Sequence, residues 1–192
     1  MDIETNRSAL LVMDYQADIL PMLGDKAAGL VERAAEVVAA ARRAQLPIFY
    51  IVVGFRPGYP EMNLRNPMFA AVSKSGRFVT TTPGSDIAPA VKPEAGDVVI
   101  LKHRVSAFAG TDLDMILRAK GIDTLILFGV ATSGVVLSTV RHGADADYRL
   151  VVVKDCCADG DDEVHRVLTE KVFLRQATVV QAGDVIEALK AR

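Results

Sequence analysis

Cysteine is scarce in this 192-residue chain: there are two, Cys156 and Cys157, side by side. Neighbours in sequence cannot staple distant parts of a fold, and no C-x-x-C or Cys/His cluster points to structural zinc. Neither sign of charge is in excess. Lys plus Arg is 22 and Asp plus Glu is 24, a net charge of −2. That balance excludes a general electrostatic attraction to nucleic acid or to an anionic membrane. Long hydrophobic runs are missing too. The longest, such as Ala9 to Met13 and Thr124 to Ala131, are strand-sized and fall well short of the roughly 18 residues of a membrane span. The opening Met1-Asp2-Ile3-Glu4-Thr5-Asn6 has no basic region before an apolar stretch, so no secretory signal is expected. A cytoplasmic chain with free thiols is the expectation.

What is present is globular in character. Hydrophobic residues make up 51% and charged residues 24%. The length suits one domain over residues 1–192 with one sizeable core. Apolar, β-branched runs alternate with helical stretches. The expected strands are 8–15, 48–53, 97–101, 124–128, 149–153 and 178–180. Between them, helical spacing predicts helices over 25–45, 111–120, 133–146 and 161–175, with a last one over 184–189. Strands that are apolar on both faces need cover on both faces. The pattern therefore predicts an α/β fold, a six-stranded parallel sheet in a three-layer α/β/α domain. Ligands in such sheets bind beyond the carboxyl ends of the strands, at a switch in strand order.

One connection stands out. Residues 54–84 carry four prolines and four glycines and show no clear period, except for a short helix expected near Pro67 to Ser73. Structureless loops of this length are uncommon in compact domains. Because it also carries Phe55, Arg56, Tyr59, Arg65 and Phe69, it reads as a lid or an interface arm over an anionic or planar ligand.

Three strand ends could carry chemistry. Asp14 ends the first strand and Lys102 the third. Each alone is an ordinary turn or strand-end residue. Together, on one sheet edge, a lysine beside a carboxylate makes a proton-transfer pair. The third place is the glycine-bearing turn Gly129-Val130-Ala131-Thr132-Ser133-Gly134-Val135-Val136. Its helix-start amides could face a thiolate or an oxyanion, or it could simply close onto the sheet.

Order and spacing then become recognisable. LLVMDYQ (Leu10 to Gln16), LKHRVSAFAGTDLDMIL (Leu101 to Leu117) and GVATSGVVLSTVRHGADADYRL (Gly129 to Leu150) resemble three successive segments of the isochorismatase-like family. Its members, also called cysteine hydrolases, include nicotinamidases and N-carbamoylsarcosine amidohydrolases. The resemblance spans nearly the whole chain and implies a Rossmann-like hydrolase fold. It makes Asp14 the catalytic acid/base and Lys102 the catalytic lysine. The nucleophilic cysteine belongs three residues after Thr132, where this chain has Val135. Valine offers no nucleophile, so attack by cysteine cannot run from there. The metal-binding D-x-H signature of nicotinamidases is also missing from Val52 to Tyr59, and no metal or cofactor is expected.

Isochorismatases proper resemble this fold and also lack the cysteine; protonation of a vinyl ether followed by water addition is the chemistry they imply. Their G-V-Y-A-H helix start is not present here. The expectation is a hydrolase of a small organic molecule, acting on an amide, imide or vinyl-ether bond through Asp14 and Lys102. The alternative is an inactive small-molecule-binding or oligomeric structural homologue. Asp14 could serve as acid or base, since lysine lowers its pKa and burial raises it. Gln16, Phe55, Arg56, Tyr59, Phe108, Ala131, Thr132, Ser133 and Gly134 are the expected substrate-binding residues, with Arg56, Arg65 or Arg104 to meet an anion. Cys156 and Cys157 read as buried, Ser133 as a helix cap, and His103, His142 and His165 as unpartnered. A homodimer or homotetramer is expected, with no nucleic-acid or membrane partner.

Overall fold

The computed structural model describes residues 3–190. Six parallel strands form one sheet: β1 (Ser8–Met13), β2 (Ile48–Val53), β3 (Val98–Lys102), β4 (Thr124–Gly129), β5 (Arg149–Val153) and β6 (Thr178–Val180). Their order is β3-β2-β1-β4-β5-β6. β1 and β4 lie at the centre and are buried along their whole length, which is why their sequences are apolar from Ala9 to Met13 and from Leu125 to Phe128. β3 lies at an edge and alternates, leaving Val99 and Leu101 exposed.

Helices α1 (Lys26–Arg43), α2 (Pro67–Ser75), α3 (Leu113–Ala119), α4 (Leu137–Asp145), α5 (Asp162–Val167) and α6 (Ala182–Lys190) connect and follow the strands. β1-α1-β2 steps one way across the sheet and β4-α4-β5 steps the other. Right-handed crossovers therefore put α1 and α4 on opposite faces. α6 packs beside α1. The buried apolar residues of both layers form one contiguous cluster. This is the α/β architecture that the alternating pattern predicts.

The differences are local. Two of the expected helices are interrupted. The 133–146 stretch begins with a wide turn, Thr132–Val136, kinked at Gly134, before α4 proper. The 161–175 stretch is α only to Val167, then opens into a wide turn and closes in a tight one. There, buried Thr169 turns its hydroxyl back onto the carbonyls of His165 and Arg166, a competing bond that bends helices. The arm 54–84 does carry its short helix. Asn66 caps α2 by accepting from the Met68 amide, Pro67 opens it and Gly76, at φ 70°, ends it.

The chain runs outward from β1 to β3, then returns to β4 on the other side of β1. The switch in strand order thus falls between β1 and β4, and a crevice at their carboxyl ends follows.

Candidate active site

Asp14 is the first residue beyond β1. Its amide still donates to Ile51 O at 2.8 Å, but its φ of 59° turns the chain out of the strand. Aspartate tolerates this left-handed conformation better than most residues. Lys102 is not on the neighbouring strand, as simple strand adjacency suggests, because β2 intervenes. Two strand spacings are about 10 Å, a gap that needs a side chain as long as lysine. Lys102 reaches across the end of β2, and its Nζ lies 2.9 Å from Asp14 Oδ2. Both side chains are buried, 3% and 6% exposed respectively. The ammonium also donates to Arg104 O at 3.2 Å. Asp14 Oδ1 is buried and has no hydrogen-bond partner among the described residues. Burial pushes the Asp14 carboxyl above its ordinary value, against the opposing pull of Lys102.

The turn after β4 supplies the third wall. A Cβ on Gly129 would lie 2.7 Å from Met13 O and 3.2 Å from Val135 Cγ1, so only glycine lets the turn close against β1. Val135 is 2% exposed and lines the same cavity as Asp14 and Lys102. The cavity measures about 240 Å³. Phe55, Ala131 and Gly134 line it as expected, and Arg104 reaches it with its guanidinium 5.3 Å above the Phe69 ring.

Six of the expected binding residues do not face the cavity. Gln16 is fully buried and ties the arm to the sheet: its Nε2 donates to Val53 O and Ser85 O, and its Oε1 accepts from the Val53 amide. Arg56 is exposed and pairs with Glu61 at 2.5 Å. Tyr59 donates its hydroxyl to Arg77 O. Phe108 is drawn to the other end of α4, where it stacks on His142 at 4.7 Å and packs on Tyr148. The Thr132 hydroxyl lies 2.8 Å from His165 Nδ1, and exposed Ser133 donates its amide to Asp159. Ser133 makes no side-chain cap. Arg65 is exposed and bonds within its own loop to Asn63.

Two histidines have partners that sequence alone did not show. His103 Nδ1 lies 2.5 Å from Gly54 O, and His165 is half-buried, its pKa lowered by burial. Cys156 and Cys157 are both buried and away from the cavity. Burial raises both thiols, Cys157 to about 12. Phe69 of the arm lines the cavity, while Ile19 and Leu23 after β1 and Val72 and Phe78 in the arm are apolar walls that the sequence reading did not name. Their signal was apolar side chains in segments otherwise built as loops. Among the described residues, no group of three or more His, Cys, Asp or Glu is placed to hold a metal ion. No helix among them is long and apolar enough to cross a membrane.

Comparison with known proteins places this geometry in context. The model of the Isochorismatase domain matches residues 8–184. An uncharacterised isochorismatase family protein, YecD of Escherichia coli, is 31% identical over 191 residues, covering 98% of this chain and all of YecD. Maleamate amidohydrolase of Pseudomonas putida is 28% identical, covering 96% of this chain and 87% of that enzyme. The crystal structure of a cysteine hydrolase from Pseudomonas syringae pv. phaseolicola superposes with a TM-score of 0.91 at 24% identity, covering 100% and 96% of the two chains.

Proposed function

The chain belongs to the isochorismatase family, and on that premise we propose that it hydrolyses an amide-type C–N bond in a small molecule with water, not cysteine, as nucleophile. The observation that carries this reading is the buried Asp14–Lys102 pair lining the cavity, with one Asp14 carboxylate oxygen unpartnered among the described residues. A structure that only bound ligand would gain nothing from such a pair, since an imperfectly satisfied buried ion pair costs stability.

The steps follow from the groups present. Asp14 Oδ1 takes a proton from a water molecule, and the resulting hydroxide adds to the carbonyl carbon. The Lys102 ammonium faces the negative charge that develops on the carbonyl oxygen. Asp14 then returns its proton to the leaving nitrogen as the C–N bond breaks, giving a carboxylic acid and an amine. A carboxyl whose pKa is raised by burial is a better base at neutral pH than a solvated one. Val135 removes the covalent route and keeps its side of the cavity dry. The similarity to the maleamate amidohydrolase of P. putida supports an amide over a vinyl ether.

The test is a panel of amides, imides and vinyl ethers offered to three proteins. Wild type is expected to turn over a member of the amide class. Asp14→Asn is expected to lose about 10²–10⁴-fold in kcat/KM, the range contributed by a positioned acid–base group. Val135→Cys is expected to form an acyl-enzyme visible by intact-protein mass. Wild-type inactivity across the panel would instead identify a non-hydrolytic binding homologue, and equal activity in Asp14→Asn would overturn the acid–base role given to Asp14.

A further inference from the structure

We propose that the ligand of this cavity is a neutral molecule with a single polar head and an extended apolar body, which under the hydrolase reading above makes the substrate a medium-chain amide and not a short, multiply polar one. The cavity has one polar pole. Asp14 and Lys102 sit at its floor, where the strands end. No Ser, Thr, Asn, Gln, His or Tyr lines it among the described residues.

The backbone makes up little of the shortfall, because five amides of the lining residues are already engaged. Val53 N–H donates to Gln16 Oε1, Phe55 N–H to Phe78 O, and Phe78 N–H to Asp18 Oδ2. Val130 N–H donates to Met13 O and Gly134 N–H to Ala131 O. The remaining cation, Arg104, is exposed at the rim, where it lies over Phe69 and donates to His103 O at 2.6 Å.

A second polar group on the ligand body would therefore be stripped of water without a partner, whereas each methylene entering the cavity is favoured. At about 240 Å³ the space lies just under the range typical for drug-sized ligands. Met22 and Met68 at the wall can adjust to bodies of differing shape.

The experiment is calorimetric titration of Asp14→Asn, which binds without turnover, with unbranched primary amides from acetamide to octanamide. The matching half-amides, which carry a terminal carboxylate, form the second arm. Affinity for the neutral series is expected to rise about fourfold per methylene until the cavity is full. The half-amides are expected to bind at least about tenfold more weakly than neutral amides of equal length. In Val72→Asn the gain per methylene is expected to shrink across the longer members. If Asp14→Asn does not fold, the same ligands are read by the rise in Tm of the wild type.

A flat dependence on length, or tighter binding of the half-amides, would overturn the inference. Ammonia release from wild type separates this idea from the hydrolase reading. Binding that follows length with no ammonia released sinks hydrolysis and leaves the apolar ligand standing. Ammonia from acetamide or a half-amide, with no preference for length, does the reverse.

Discussion

The Asp14–Lys102 pair can be tested before any substrate is known, because its burial makes stability a readout of the site. Lys102→Met removes the charge and keeps an unbranched side chain of similar length. Asp14→Asn removes the other charge, and asparagine tolerates the φ of 59° at that position. Each single variant leaves one ion in a site where the side chains are 3% and 6% exposed. Breaking a buried pair from one side costs about 3–5 kcal/mol. The double variant leaves no uncompensated charge and is expected to cost less than either single variant.

The Lys102→Met penalty also depends on pH, and the sign follows from Asp14. Its folded pKa lies above 3.8 because burial outweighs Lys102, and removing the lysine takes it higher. A raised group contributes stability that is fully present below the unfolded pKa and lost as pH rises through the folded one. The variant's deficit should therefore be small in acid. It should grow by about 1.4 kcal/mol per pH unit above the wild-type Asp14 pKa, until the variant's own is passed. Urea unfolding followed by far-UV circular dichroism at about pH 5 and about pH 8 measures both effects. Additive single penalties that do not change with pH would refute the reasoning. They would place the pair in solvent, where ion pairs are worth about 0–1 kcal/mol.

Three further outcomes are expected. Neither native cysteine should react with a thiol reagent before denaturation, because both are buried and their thiols are raised. Val135→Cys should add one thiol that reacts in the native state, counted by mass, beside the Lys102 ammonium. Gly129→Ala should lower the urea midpoint by about 1–3 kcal/mol of stability, because its Cβ would lie 2.7 Å from the backbone oxygen of Met13, which cannot move aside.

Much of the molecule was legible without coordinates, for local reasons. The unbroken apolar runs of β1 and β4 declare strands covered on both faces. Pro67 and Gly76 punctuate a helix inside a long loop through their own backbone limits. The three motif segments name Asp14, Lys102 and Val135 because each depends on residue type at a fixed spacing. The binding residues were harder to read. Gln16, Tyr59 and Thr132 are polar residues near the right strand ends, yet each is spent on a tie to a distant backbone carbonyl or side chain. Phe108 is an aromatic in a motif segment, but Tyr148 and His142 take it into a different layer.

Apolar periodicity therefore determined the α/β layering, and the resemblance of three segments to one family pointed to Asp14, Lys102 and Val135, since both are carried by neighbours along the chain. Tertiary structure decided that β2 lies between the two ions and that lysine's length bridges it. It also decided that Asp14 Oδ1 finds no partner among the described residues, and that Phe69, Val72 and Phe78 of the arm join Val130 and Val135 in an apolar wall. Those outcomes depend on which side chains meet across gaps of many residues, and on how much water their meeting removes. Neither quantity is carried by any one segment.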